Sequence, residues 1–285
     1  MKKLIRLGKS NPLRRIHKSI LKFVCKTKSK FNSSIKIDIL IPVSVKDIEL
    51  LKFTIACARE NILNPISQIF IIGENGVIKD FCDQNNCVFI DEDSFLKIKK
   101  SSIKYNDIEW YRSGWIFQQL IKLNCDKLIG EENILVLDSD TFIFSKQSFV
   151  LDNGLSIINF SDEYHFPYSV FKKLINLKKR FYLSFVCHHM IINKEYLKEM
   201  KKCILHSTNK EWIDAIIDNI DLSEPSCFSE YELYGNYMYY FHRDKIHLEY
   251  CKNKNIKHSN LDLIVLKEKL KSRFKSISFH NFMNK

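Results

Sequence analysis

Ile134-Leu135-Val136-Leu137-Asp138-Ser139-Asp140-Thr141-Phe142-Ile143-Phe144 decides the fold. Four apolar residues running into two carboxylates, with a second apolar run behind them, describe a buried strand that delivers acids to the edge of a sheet. Two ionised acids held close together repel one another and are costly to desolvate, so they need a partner. A hard divalent cation with oxygen ligands is the natural one.

Outward from this strand, the preceding residues alternate between strand and helix patterns. Residues 37–43 read as a strand ending at Pro42-Val43, and 46–60 as a helix with Leu50, Leu51, Ile55 and Ala58 inward. Strands are expected at 67–73 and 87–90, with a helix at 77–84 between them and a long helix at 109–128 before the central strand. Such alternation implies an α/β fold with a mostly parallel, doubly wound central sheet flanked by helices. Ligands bind such sheets beyond the carboxyl ends of the strands. Those ends carry residues 44–47, 73–76, 91–93 and 138–140, which should converge on one crevice.

Beyond Phe144 the pattern is less regular. A hairpin is expected at 149–159, turning at Asp152-Asn153-Gly154. Residues 162–180 read as mostly helical and 185–193 as a strand carrying His188 and His189. Helices follow at 194–205, 211–220, 229–242 and 261–274, with strands at 246–250 and 276–280. This half is expected to complete the sheet and wall off a second substrate.

Twelve of the 45 Lys and Arg lie in residues 1–37, where there is no Asp before Asp38 and no Glu, leaving 33 basic against 33 acidic residues. The chain therefore divides into a basic tail, 1–36, and one domain, 37–285. A neutral domain argues against nucleic-acid binding, which places its basic stripe on the fold itself. In the tail, Leu13, Ile16, Ile20, Leu21, Phe23 and Val24 recur at near-helical spacing among Arg14, Arg15, Lys18 and Lys22. This pattern fits an amphipathic helix on an anionic membrane surface; a solvated tail, a helix packed on the body and a tail that binds RNA are the alternatives. Nine scattered cysteines without paired Cys-x-x-Cys spacing fit a reducing compartment, and basic residues interrupt any apolar run that could be a signal peptide. The expected location is cytoplasmic, peripheral at the inner face of the cytoplasmic membrane.

Three stretches carry chemistry. Asp138-Ser139-Asp140 is the first. In the second, residues 110–123, Arg112, Trp115 and Gln119 share a helix face, and a guanidinium at a helix start suits a diphosphate. In the third, residues 229–237, Ser229 and Glu232 fit a capping box, which leaves Glu230 without a structural explanation.

Together these stretches resemble GT-A fold nucleotide-sugar glycosyltransferases of the bacterial surface-polysaccharide type. The resemblance covers most of 37–280 in organisation and implies a GT-A-like (Rossmann-like) domain. It implies that Asp138, Ser139 and Asp140 form the motif binding Mn2+ or Mg2+, which bridges the diphosphate of a nucleotide sugar, UDP-linked. Arg112 and Gln119 would join the donor site, Pro42, Val43 and Lys46 would begin the nucleotide pocket, and His280 would add a metal ligand. For an inverting transfer to a cell-surface glycan or glycolipid acceptor, Glu230 is the candidate general base. His188 and His189 are acceptor-side candidates. As neighbours on a strand they point to opposite sides, so at most one faces the cleft.

The same motif is similar to haloacid-dehalogenase-like phosphatases, which need a Thr where this chain has Phe142. A metal-dependent phosphatase of that type and a non-catalytic sugar- or membrane-binding scaffold stay open as alternatives.

Overall fold

A computed structural model describes residues 12–25, 31–163, 171–177, 181–257 and 263–280. Its centre is a five-stranded sheet in the order β3-β2-β1-β6-β9. β1 (Ile37–Pro42), β2 (Ile66–Gly73), β3 (Val88–Asp91) and β6 (Asn133–Leu137) run parallel. β9 (His189–Asn193) closes one edge in the antiparallel sense. The fold is therefore α/β with a mostly parallel sheet, as the alternating pattern implies. β1 is buried along its whole length, which explains why it reads as a continuous apolar run rather than an alternating one.

The single acid in β1, Asp38, is fully buried and accepts backbone N–H bonds from Gln68 at 3.0 Å and Glu131 at 2.7 Å. These donors work against the burial that pushes its pKa up.

α1 (Pro12–Val24) lies against the body. α2 (Ile48–Asn61) follows a 3₁₀ turn, Val45–Asp47, and turns Leu50, Leu51, Ile55 and Ala58 inward. α3 (Val77–Asn85) links β2 to β3, and the short α4 (Glu92–Leu96) is capped by Asp91, whose side chain accepts from Ser94 N–H at 3.0 Å.

The long helix expected at 109–128 is instead α5 (Ser113–Leu123), preceded by the hairpin β4 (Lys104–Tyr105) and β5 (Ile108–Glu109) and followed by a 3₁₀ turn at Cys125–Lys127. Asn106 and Asp107 both adopt positive φ, 51° and 63°, the geometry of a tight two-residue hairpin turn, so Glu109 belongs to a strand.

The second half differs more. β7 (Thr141–Ile143) leaves the central sheet and joins β11 (Asn253–Lys257) and β12 (Ser276–His280) in a three-stranded sheet, order β11-β12-β7. β8 (Ser156–Phe160) pairs in parallel with β10 (Ile246–Tyr250). Only β9 thus extends the central sheet, and the expectation that this half completes it is corrected to two satellite sheets. The hairpin expected at 149–159 contracts to one bridge, Val150 to Ser156, around a turn at Gly154. The strand expected over 185–193 begins only at His189, because His188 sits at φ 62° and breaks the extended run.

α6 (Phe171–Leu174) is the helix described in 162–180; residues 164–170 and 178–180 lie outside the described residues. α7 (Lys194–Thr208), α8 (Trp212–Asn219), α9 (Glu230–Phe241) and α10 (Leu263–Leu270) complete the chain. α5 packs on β1 and on α9, which sets the two halves of the site face to face.

Candidate active site

A cleft of about 530 Å³ opens beyond the carboxyl ends of β1 and β6, its far wall formed by the start of α9. The acidic loop between β6 and β7 lies on its floor and is held from several sides. Asp138 N–H donates to His188 O at 3.0 Å, and Thr54 Oγ1 donates to Ser139 O at 2.7 Å. Phe279 N–H donates to Asp140 O at 3.0 Å, and the hydroxyls of Thr141 and Ser278 meet at 2.8 Å.

At the centre stands Lys122, on the last turn of α5. Its Nζ pairs with Asp138 Oδ1 and donates to Glu230 Oε1 at 2.7 Å and to Tyr231 Oη at 3.1 Å. Tyr231 Oη in turn donates to Asp138 Oδ1 at 2.8 Å. His188 Nδ1 lies 3.1 Å from Asp138 Oδ2, and its Nε2 lies 3.4 Å from Glu163 Oε2. The left-handed backbone at His188 turns its ring into this cluster, a conformation that costs a non-glycine residue about 1 kcal/mol or more.

The charges follow from these contacts. Burial works against the Lys122 ammonium, but Asp138 and Glu230 more than offset it and raise its pKa. For Asp138, burial is outweighed by Lys122 and His188, which hold the carboxyl well below the usual range. Burial also opposes an imidazolium at His188, and hydrogen bonds to Asp138 and Glu163 overcome it. For Asp140, burial and then the Asp138 charge push the carboxyl up to about 7, and the His188 and Lys122 charges offset this only in part. Burial raises Glu230 despite Lys122.

The cleft brings together Pro42, Val43, Lys46, Arg112, Gln119, Asp138, Ser139, Asp140, His188 and Glu230. Arg112 stacks over the Trp115 ring at 4.2 Å and pairs with Pro225 O, while Gln119 Oε1 accepts the Glu230 N–H at 3.2 Å. His189 faces away: its Nε2 lies 3.0 Å from Asn159 Oδ1, on the other side of β9 from the cleft. The His280 backbone pairs with Lys257 in register, and its side chain lies outside the described residues.

The capping box is half formed. Ser229 Oγ accepts from Glu232 N–H at 3.3 Å, but the Glu232 carboxylate reaches away to Ser184 Oγ at 2.6 Å and Phe185 N–H at 3.0 Å. It fastens the segment leading to His188 rather than its own helix start.

Lys122, Tyr231 and Glu163 are site residues that motif reading misses. Lys122 had a signal, since it follows Gln119 by three positions and Trp115 by seven, so an amine sits on the same face as Arg112. Tyr231 and Glu163 had none; they reach the cleft only through tertiary packing.

A family model matches residues 36–276. The chain belongs to the DUF6492 family. That family is described as one of unknown function, and no curated protein matches the sequence. Among solved structures, this DUF6492 chain is similar to the galactosyltransferase LgtC in complex with donor and acceptor sugar analogs, at 12% identity and a TM-score of 0.46, over 85% of this chain and 86% of that one. It is similar to the WbbM bifunctional glycosyltransferase at 12% identity and a TM-score of 0.43, over 88% of this chain and 46% of that one. A third is glucosyl-3-phosphoglycerate synthase from Mycobacterium tuberculosis in complex with Mn2+ and uridine diphosphate, at 10% identity and a TM-score of 0.42, over 84% of this chain and 76% of that one.

Proposed function

We propose that this chain is a metal-dependent glycosyltransferase that moves a sugar, with inversion, from a UDP-linked donor to a cell-surface glycan or lipid-linked acceptor. The reading places it in the cytoplasm, peripheral at the inner face of the cytoplasmic membrane, with residues 1–36 as a basic membrane-associating tail and 37–285 as a GT-A-like catalytic domain. The observation that carries it is the Asp138–Asp140 loop at the mouth of a parallel sheet, with both carboxylates lining one cleft together with Lys46 and Arg112. Two acids placed so close are costly as anions, and a dication with phosphate oxygens is the ligand that would relieve them.

The donor set fits a hard cation in type. Among the described residues no group of three His, Cys, Asp or Glu gathers as a cage. Asp138 and Asp140 would therefore hold the ion with substrate oxygens and water filling the remaining positions, which is how Mg2+ and similar ions sit at phosphate sites. When bound, the ion supplies charge stabilisation at the leaving diphosphate.

The chain's own residues would do the rest. Arg112, stacked on Trp115, and Lys46 offer cationic partners for the diphosphate, and Pro42, Val43, Ser139 and Gln119 border the same space. Lys122 keeps Asp138 ionised and keeps a positive charge beside the floor. Glu230, paired with that ammonium, would be available as a carboxylate to take the proton of the attacking hydroxyl, and His188, which lines the same cleft, would contact the acceptor. The phosphatase reading is disfavoured by Phe142, which occupies the hydroxyl position and is packed at 4.9 Å from the Phe279 ring in a second apolar cluster.

Screening nucleotide sugars for release of free nucleotide in the presence of Mn2+ tests the reading. Turnover of a UDP-sugar supports it, whereas hydrolysis of a generic aryl phosphate with no nucleotide sugar consumed would replace it with the phosphatase.

A further inference from the structure

The structure divides α1 into two faces. Its inner face is fastened to the body: Lys18 pairs with Asp162 and stands 5.4 Å over the Tyr250 ring, and the His17 ring meets those of Phe181 and Tyr182 edge-on at 5.6 and 5.5 Å. Leu21 and Cys25 pack on the main core. The opposite face shows solvent a line of aliphatics at i, i+4 and i+8. Ile16 and Ile20 are each 56% exposed and Val24 is 65% exposed. A helix with one face already docked does not need a second apolar stripe to fold, so the stripe is without a structural reason.

We infer that this outer stripe docks on an anionic lipid bilayer, lying in the interface rather than crossing it. Two observations select that occupant. The stripe is set in a stretch, residues 1–37, that carries twelve basic residues and no acid, the complement of an anionic headgroup layer. Among the described residues, three aliphatic side chains form this strip, and such a strip on a surface helix can enter the headgroup boundary. Among the described residues no helix is long and apolar enough to cross a membrane.

The anchoring face gives the docking a direction. Asp162, the partner of Lys18, also accepts from Tyr250 Oη at 2.9 Å and immediately precedes Glu163, which lines the cleft and pairs with His188. A bilayer held by α1 is therefore coupled through one residue to the rim of the cleft. Docking stands apart from the sugar-transfer reading; only its use, presenting a lipid-borne acceptor to that rim, rests on it.

The test is co-sedimentation of the full chain with vesicles of phosphatidylglycerol and phosphatidylcholine, against vesicles of phosphatidylcholine alone. The chain should pellet with the anionic vesicles, less so as salt rises. Ile16→Glu/Ile20→Glu should lower the partition coefficient on the order of a hundredfold, and the milder Ile16→Ala/Ile20→Ala by about tenfold. Ile108→Glu, at an exposed aliphatic on the β4–β5 hairpin, should change nothing. Equal pelleting of the wild type and both α1 variants overturns the inference, as does equal pelleting with neutral vesicles. Stronger retention on single-stranded RNA than on anionic vesicles at matched salt also overturns it. Nucleotide release from a UDP-sugar in solution should be unaltered in the α1 variants, so a failure of docking is distinguishable from a failure of the proposed chemistry.

Discussion

Lys122 Nζ donates to Glu230 Oε1 at 2.7 Å, joining the end of α5 to the start of α9 across a buried gap. The same ammonium pairs with Asp138, so one cation holds two carboxylates that would otherwise repel. Lys122→Met would leave Glu230 buried without its cation and Asp138 with His188 alone. We expect a loss of about 3–5 kcal/mol of stability, read as a lowered denaturant midpoint, together with loss of transfer activity. Lys122→Arg, which keeps the charge but not the shape, should recover much of the stability and little of the activity.

For the acidic loop, the expectation is ligand linkage. With Mn2+ present, uridine diphosphate at about 100 times its Kd should add about 2.7 kcal/mol of stability, visible as a raised Tm. Chelation of the metal should remove the shift, and so should Asp138→Ala or Asp140→Ala. A nucleotide shift that survives chelation and both substitutions would contradict the assignment of these two acids.

Gly235 and Gly130 are sites where a single added methyl group should register. A Cβ at Gly235 would fall 2.4 Å from Cγ of Phe185, a side chain itself stacked on Phe181. At Gly130, φ is +154° and a Cβ would lie 2.3 Å from the buried Oδ2 of Asp38. Each Gly→Ala change should cost about 1–3 kcal/mol by overpacking, measured in denaturant titrations. Because Phe185 borders the segment leading to His188, Gly235→Ala should also lower activity, while Gly130→Ala, at the opposite end of β1, should lower stability alone.

His189 makes a pH prediction. Burial, then His188 and Lys275, depress its pKa from 6.5 to about 3. Asn159 donates its Nδ2 to Glu249 O at 3.3 Å, so its Oδ1 accepts, and His189 is the neutral tautomer with the proton on Nε2. Between 6.5 and about 3 the unfolded chain binds more protons at this position than the native one. Its contribution to stability is thus complete above 6.5 and is lost as pH falls toward about 3. In His189→Gln, denaturant midpoints should fall less steeply across that window than in the wild type.

The parallel half of the fold was readable because its strands are short, mostly apolar runs separated by helices of clear period. β1, β2, β3 and β6 all fall within a residue or two of their expected limits. The hairpin at Lys104–Glu109 was missed because Asn106-Asp107, unlike Asn-Gly, is an uncommon way to make a turn with two positive φ angles. In the second half, partner choice escaped detection. β11, with one apolar residue in Asn253–Lys257, was not expected as a strand, and nothing local says that β7 and β12 pair with it and with one another instead of extending the central sheet.

The site followed the same division. Asp138, Asp140, Arg112 and Glu230 stood out as charges at element ends, whereas Lys122 was hidden as one lysine in an apolar helix. Tyr231 and Glu163 acquire their positions only from packing. Glu232 illustrates the limit of a local motif: the spacing announces a cap, but the carboxylate serves a segment almost fifty residues away.

β12 bears on how the site is made. Residues 276–278 pair with β7, and Phe279 N–H closes on the carbonyl of Asp140, so the acidic loop in the first half of the chain is fastened by a segment synthesised long after it. While the chain is still emerging from the ribosome, the parallel sheet can form, but the loop at its mouth has a loose outer edge. A chain cut short before β12 therefore keeps the strands of the parallel sheet but lacks this outer fastening of the acidic loop.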